Sequence, residues 1–118
     1  MTTQEVAARF NELAQENKYD VILSELYSND CASIEPGKDA VLQSVTGMDA
    51  IIAKGKAFNE SIEAMHGGHC SEPLVAGNHF TVTMGMDVTM KGVGRMSMDE
   101  VCVYQVADGK IVKELFFY

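Results

Sequence analysis

Glu100 is the one acid in a row of apolar side chains. Through residues 95–107 every second position is Met96, Met98, Glu100, Cys102, Tyr104 or Val106, so on a strand all six face one side. A carboxylate on an apolar face is poorly solvated when charged, which raises its pKa and suits it to proton transfer. Glu114, in the next alternating run, could join it. Like charges in one cleft drive their two pKa values apart and yield an acid and a base from the same residue type. The plainer reading is that strand ends curve outward and one of the two reaches water, or pairs with Lys113 or Arg95. A second cluster, His66-Gly67-Gly68-His69-Cys70, holds metal-binding residue types. On a strand, however, His66 and Cys70 share one face and His69 the other, so three ligands converge only if the glycines bulge the strand. A strand bend with polar or pocket-rim histidines is the simpler reading, and no metal is expected. His79, beside Gly77-Asn78, reads as an exposed turn residue. The sequence has no glycine-rich phosphate loop, nucleophile elbow or paired-cysteine spacing, and no cofactor is expected.

These residues need elements to position them. Thr2-Thr3-Gln4-Glu5 has the form of a capping box, followed by Val6, Phe10 and Leu13 on one helical face. Tyr19, Ile22, Leu23 and Leu26 make a second amphipathic helix, ended by Asn29-Asp30. Cys31 to Glu35 reads as a short strand stopped by Pro36-Gly37, with Val41 to Val45 as a weak partner. A third helix is expected after a cap at Thr46 with Asp49, with Met48, Ile51, Ile52, Gly55, Phe58 and Ile62 turned inward and Gly55 packed close to the sheet. The remainder alternates as strands over roughly 65–76, 80–91, 95–107 and 110–118. Segregated helices followed by a strand meander predict an α+β fold with helices on one face of the sheet.

Register decides which side chains meet. A turn at Gly92 to Gly94 predicts Met86 opposite Glu100 and Met84 opposite Cys102. In the last hairpin, a two-residue Asp108-Gly109 loop would turn Ile111, Lys113, Leu115 and Phe117 inward, whereas a bulge at Gly109 would turn Val112, Glu114, Phe116 and Tyr118 inward. Met84, Met86, Met90, Met96 and Met98 lie on the proposed inner face. Thioethers of this kind fill irregular cores and also line adaptable apolar sites.

Composition sets outer bounds. With 118 residues and 47 % hydrophobic content, one domain with one core is expected. A formal net charge of −8 with nine Lys and Arg speaks against nucleic acid and anionic membranes as partners. No apolar run approaches the roughly 20 residues of a membrane span. Cys31, Cys70 and Cys102 are odd in number and widely spaced, which fits reduced core thiols and a cytoplasmic setting.

The order helix, helix, strand, helix, meander resembles the SnoaL-like family of the nuclear transport factor 2-like superfamily. Two stretches carry the likeness, Tyr27 through Asn29-Asp30-Cys31 to Glu35-Pro36, and Val103 through Asp108-Gly109-Lys110-Ile111 to Tyr118. The resemblance implies an α+β, cone-shaped nuclear transport factor 2-like fold, three N-terminal helices packed on a curved antiparallel sheet, with residues 1–118 as a single SnoaL-like domain around a cavity. It also favours the bulged hairpin, since Glu114, Phe116 and Tyr118 then take pocket positions.

Members of that family include delta-5-3-ketosteroid isomerases, polyketide cyclases, dehydratases and domains that only bind or dimerise, so the fold alone does not choose a function. Alignment of residues 30–36 puts Glu35 where the isomerases carry a general-base aspartate. Read on its own, Glu35 is more simply a solvated carboxylate at a strand end. The tyrosine and protonated aspartate that stabilise the enolate oxygen in those enzymes are replaced here by Phe10 and Cys102. Their route is therefore not expected unless Tyr118, Tyr104 or protonated Glu100 supplies a donor.

The resulting expectation is a cavity for a small, largely apolar or aromatic molecule. Its catalytic candidates are Glu35, Glu100 and Glu114, and its walls are Phe10, Met84, Met86, Met98, Cys102, Tyr104, Phe116 and Tyr118. The outer face, with Val101, Val103, Ile111, Leu115 and Phe117, is expected to be covered in a homodimer. A binding or dimerisation module without catalysis is the competing expectation.

Overall fold

The computed structural model describes residues 1–37 and 42–118. Helix α1 (Thr3–Gln15) begins with the anticipated capping box: the Glu5 amide donates to Thr2 Oγ1 at 3.1 Å and the Thr2 amide to Glu5 Oε1 at 2.9 Å. It ends where Asn17 takes a left-handed conformation (φ 57°), with Asn17 N–H bonded to Ala14 O and Lys18 N–H to Leu13 O, which satisfies carbonyls the helix leaves open. Val6, Ala7, Phe10, Leu13 and Ala14 are buried along one stripe. Helix α2 (Tyr19–Leu26) buries Ile22 and Leu26 and passes directly into strand β1 (Tyr27–Ile34). Asn29-Asp30, expected to end that helix, therefore lies within the strand.

Strand β2 (Val45–Thr46) pairs antiparallel with β1; the Val41 end of the expected partner segment lies outside the described residues. Helix α3 (Met48–Ser61) starts from Gly47 at φ 101° without a side-chain cap, so Thr46 does not serve as one. Its inward stripe is Gly47, Ile51, Lys54, Phe58 and Ser61. Ile52 and Gly55, expected inward, are exposed, and a Cβ on Gly55 would meet nothing within 4 Å. The true stripe steps by four and three from Gly47, and Ile52 and Gly55 each follow one of its members by one residue, about 100° round the helix.

The remaining strands are β3 (Ile62–Cys70), β4 (Leu74–Ala76), β5 (His79–Met90), β6 (Gly94–Ala107) and β7 (Lys110–Phe117). They complete a seven-stranded sheet in the order β2-β1-β7-β6-β5-β3, with β4 also paired to β5. The α+β arrangement with three helices stands, but the cone of curved antiparallel sheet does not. The sheet is mixed, because β1 runs parallel to β7, and open, because among the described residues the end strands β2 and β3 do not pair with each other. The β5-β6-β7 meander fixes the direction of β7, and β1 docks on its free edge running the same way. A parallel pair needs a long connection, and here most of the chain supplies it.

Hairpin registers are also corrected. Met84 pairs with Glu100 and Val82 with Cys102, because the turn starts one residue earlier and Met90 pairs with Gly94. A shift of one residue on each strand preserves the faces, so the inner row is unchanged. At the last turn Asp108 (φ 51°) and Gly109 (φ 75°) form a two-residue loop with Ala107 opposite Lys110. A register shift follows between Val106↔Ile111 and Gln105↔Lys113, leaving Val112 as the extra residue. Ile111 is therefore fully buried rather than outward, and Glu114 and Phe116 also turn inward.

Candidate functional site

Two kinds of packing divide the inner face. Against α1, the rings of Phe10, Phe80 and Tyr104 form a dry cluster, with Phe10 centroids 5.3 Å from Phe80 and 4.8 Å from Tyr104. Phe10 is 1 % exposed. Beneath α3 the same face is polar. Alternation along β1 turns Cys31, Ser33 and, just past the strand, Glu35 inward, and all three are buried. The Glu35 amide is held by Ser44 Oγ at 2.8 Å.

The Glu35 side chain is 2 % exposed and both of its oxygens are engaged. Lys54 Nζ donates to Oε2 at 2.7 Å and the Tyr118 hydroxyl to Oε1 at 2.7 Å. Glu35 is thus a buried carboxylate in an ion pair, not a solvated strand end. Lys54 also donates to Ser33 Oγ at 2.6 Å and stands 5.5 Å from the centroid of the Phe116 ring. Ser33 lies opposite Glu114 in the parallel β1–β7 register, and Glu114 accepts a hydrogen bond from the buried Tyr27 hydroxyl. A continuous polar chain therefore runs Tyr27, Glu114, Ser33, Lys54, Glu35, Tyr118.

Its electrostatics are uneven. Burial pushes the Glu114 carboxyl up by more than the Tyr27 and Ser33 hydroxyls and Lys54 pull it down. Glu100, half-buried on the same face, is also raised, first by burial and then by the Glu35 and Glu114 carboxylates, against the opposing effect of the Cys102 thiol, which lies 3.5 Å from Glu100 Oε1. The Tyr118 phenol is pushed up to about 12 by burial and by its bond to Glu35. Burial raises the Tyr27, Tyr104 and Cys102 hydroxyls and thiol as well. Two raised carboxyls and one ion-paired carboxylate on a common face make a set from which a proton can be given and taken.

Of the anticipated site residues, Glu35, Glu100, Glu114, Met84, Met86, Met98, Cys102, Tyr104 and Phe116 all belong to the inner rows, and Tyr118 reaches Glu35 from beyond the end of β7. Phe10 and Tyr104 are packed into the aromatic cluster instead of beside the carboxylates. Lys54, Ser33 and Tyr27 were missed. Lys54 occupies the place an apolar residue would take between Ile51 and Phe58, and Ser33 alternates with Cys31 and Glu35, so both signals were in the spacing.

The histidines stand on the outer face. His66 Nε2 lies 2.7 Å from Thr89 Oγ1, beside a bulge between Met65 and Gly67, and the His69 ring lies over Gly85. A Cβ on Gly85 would come within 2.3 Å of His69 Cε1 and 2.8 Å of Asp99 Oδ1. Among the described residues no three His, Cys, Asp or Glu side chains converge as a metal site. Two shallow hollows, of about 290 and 320 Å³, share His69 and Asp99; the first also reaches Met86 and the second Met84 and Glu100 of the inner rows. They are open depressions away from the Lys54–Glu35 pair, and the buried, bonded carboxylates are the stronger mark of a functional site.

Similarity to known proteins agrees with this architecture. The sequence model of the family described as "SnoaL-like domain" matches residues 1–118. A solved structure from Mesorhizobium loti, described as a candidate SnoaL-like polyketide cyclase with carbohydrate phosphatase in brackets, is 34 % identical with a TM-score of 0.92, and the match covers 100 % of both chains. A Xanthomonas campestris protein of unknown function with a cystatin-like fold is 19 % identical with a TM-score of 0.78, covering 99 % of this chain and 90 % of its own. A Catenulispora acidiphila protein with a ketosteroid isomerase-like fold, solved with trimethylamine, is 17 % identical with a TM-score of 0.67, covering 82 % and 72 %. No curated protein gives a match. With its full length matched by the family and by a relative one-third identical, this chain belongs to the SnoaL-like family.

Proposed function

We propose that this SnoaL-like chain binds a small, largely apolar molecule against the inner sheet face and that Glu35 transfers a proton on it. The observation that carries the reading is the Glu35 side chain, 2 % exposed and bonded through both oxygens to Lys54 and Tyr118. Burying a charge costs several kcal/mol unless it is paired, so a chain without a use for this carboxylate would do as well with an apolar residue. Glu100 and Glu114, whose carboxyls burial raises, are the groups that return or relay the proton. Isomerisation, cyclisation, dehydration and hydrolysis are the reaction types such a set supports, and the polyketide cyclase description of the Mesorhizobium loti relative lies within that range.

A crystal structure grown with a library of small aromatic and polyketide-like compounds would identify the ligand. With a turned-over compound in hand, Glu35→Gln is expected to lower turnover by about 10²–10⁴ while the protein still folds, since an amide keeps the shape but takes no proton. Unchanged turnover in the folded variant removes Glu35 from the mechanism.

A second reading, association through the outer face, is favoured by a separate observation. Val101 and Phe117 are paired across β6 and β7 yet 42 % and 52 % exposed, with Val103 and Leu115 half-buried beside them. A homodimer that covers this patch should persist in light scattering at low micromolar concentration and weaken when Leu115 and Phe117 are replaced by Asp. A wild-type protein that stays monomeric at high micromolar concentration overturns it.

A further inference from the structure

Met84 and Met86 on β5 and Glu100 and Met98 on β6 form two rungs of one ladder, Met84 opposite Glu100 and Met86 opposite Met98, all on the inner face. The corners of this rectangle are three thioethers and one carboxyl group. Side chains directly opposite in an antiparallel pair start about 4.5–5.5 Å apart at Cβ, and diagonal ones about 7–8 Å apart. A methionine carries its sulfur two bonds beyond Cβ on freely turning torsions, so three sulfurs and one Glu100 oxygen have the reach to close on a single point above the sheet. On the other side of Met86 the opposite residue is Gly68 of β3, which has no side chain to fill that space.

Packing alone does not account for the set. The next rung, Val82 with Cys102, is buried at 2 % and 0 % exposure, whereas all four members of the rectangle are half-buried and only Met84 among its methionines packs against the core. Glu100 lies among them without a counter-charge. Its one hydrogen bond among the described residues comes from the Cys102 thiol, no basic side chain there forms an ion pair with it, and the buried Lys54 ammonium is bonded to Ser33 and Glu35 instead. A partly desolvated carboxylate is costly unless paired, and a cation held between it and the sulfurs would supply the missing charge.

The donor types choose the cation. Thioether sulfur is soft and selects copper(I), whereas zinc sites are built from thiolate, imidazole and carboxylate, and magnesium and calcium need oxygen shells that one carboxylate does not provide. A single positive charge also matches the single carboxylate.

We propose that Met84, Met86, Met98 and Glu100 form a binding site for a soft monovalent metal ion, copper(I) among those a cell supplies. The site shares Glu100 with the proton-transfer reading but needs neither Glu35 nor an organic ligand, so it stands or falls separately. Binding exchanges the ion's outside ligands for three thioethers and a carboxylate, and the metal keeps its oxidation state.

The test uses the full chain under nitrogen, with silver(I) as a redox-inert probe and copper(I) in competition with bicinchoninate. In protein labelled at the methionine ¹³C-methyl groups, the signals of Met84, Met86 and Met98 are expected to move together and stop at about one equivalent of silver(I), while that of Met48, packed against the core from α3, stays in place. Met86→Leu and Met98→Leu, swaps that nearly conserve volume, should each weaken copper(I) binding by more than about tenfold, since losing even an outer-shell partner commonly costs that much. Glu100→Gln should weaken it as well. Cys70→Ser separates thioether from thiol: Cys70 lies opposite Met84 and is the one cysteine that is not buried, and this variant should bind both ions with the wild-type methyl shifts.

The proposal is overturned if no methyl shift saturates, if all eight methionine signals move alike, if the leucine variants bind as tightly as wild type, or if Cys70→Ser alone abolishes binding. Where a leucine variant does not fold, the methyl titration of wild type carries the decision, because it reads metal at the sulfur without any substitution.

Discussion

The two ends of the inner sheet face are built on opposite principles. Beneath α1, Phe10, Phe80 and Tyr104 stack in contact, and their stability comes from apolar area removed from water. Beneath α3 the same strands and their neighbour β1 carry Glu114, bonded to Tyr27, and Ser33 and Glu35, joined through Lys54, and there burial works against every charge. The difference teaches where to look for function in a fold that hosts many. The aromatic end would serve any protein of this shape, while the polar end costs stability and is retained with its partners in place.

The largest expected effect on stability falls on the aromatic end. Phe10→Ala removes a ring that is 1 % exposed and leaves a cavity between Phe80 and Tyr104, a loss of about 3–5 kcal/mol in urea unfolding that should not vary between pH 5 and 8. A loss below about 1 kcal/mol would mean that the cluster is not the packed anchor of the fold.

At the polar end the effect is smaller and depends on pH. The Glu114 carboxyl is raised in the folded state, so the folded protein holds this proton more tightly than the unfolded chain does. Its contribution is complete below the ordinary carboxylate range and is lost as pH rises through the raised folded value. Glu114→Gln cannot ionise. At low pH the variant should therefore differ from wild type by no more than about 1 kcal/mol, the scale of one exchanged hydrogen bond. With rising pH wild type should lose stability relative to it. Denaturation curves from pH 4 to 9 read this directly, and parallel curves for the two proteins would show that Glu114 does not titrate with folding.

Much of both ends was legible in the residues themselves. The capping box at Thr2 and Glu5, the Val6-Phe10-Leu13 stripe and the inner rows of β5 and β6 follow from local hydrogen-bonding chemistry and from periods of 3.6 and 2. Glu100 was visible as an acid in such a row. Lys54 was passed over because a lysine in a helix is ordinarily solvated, although its spacing from Ile51 and Phe58 already placed it inward. The last hairpin defeated both registers considered for it. Asp108-Gly109 makes the two-residue loop its composition favours, but the bulge sits at Val112, where no glycine or proline marks it.

By itself, then, the sequence determined what is local or periodic: which segments are helices, which faces of the strands are apolar, and that carboxylates interrupt an otherwise apolar side. Only the tertiary structure decided which of those carboxylates meet and what meets them. β1 lies parallel to β7, and Ser33 consequently lies opposite Glu114 across 80 residues of intervening chain; α3 closes over that seam and delivers Lys54 to Glu35. Pairing of distant strands leaves almost no trace in either segment alone, because a strand exposes the same backbone donors and acceptors whichever neighbour takes them, and the choice is made by the packing of the whole sheet.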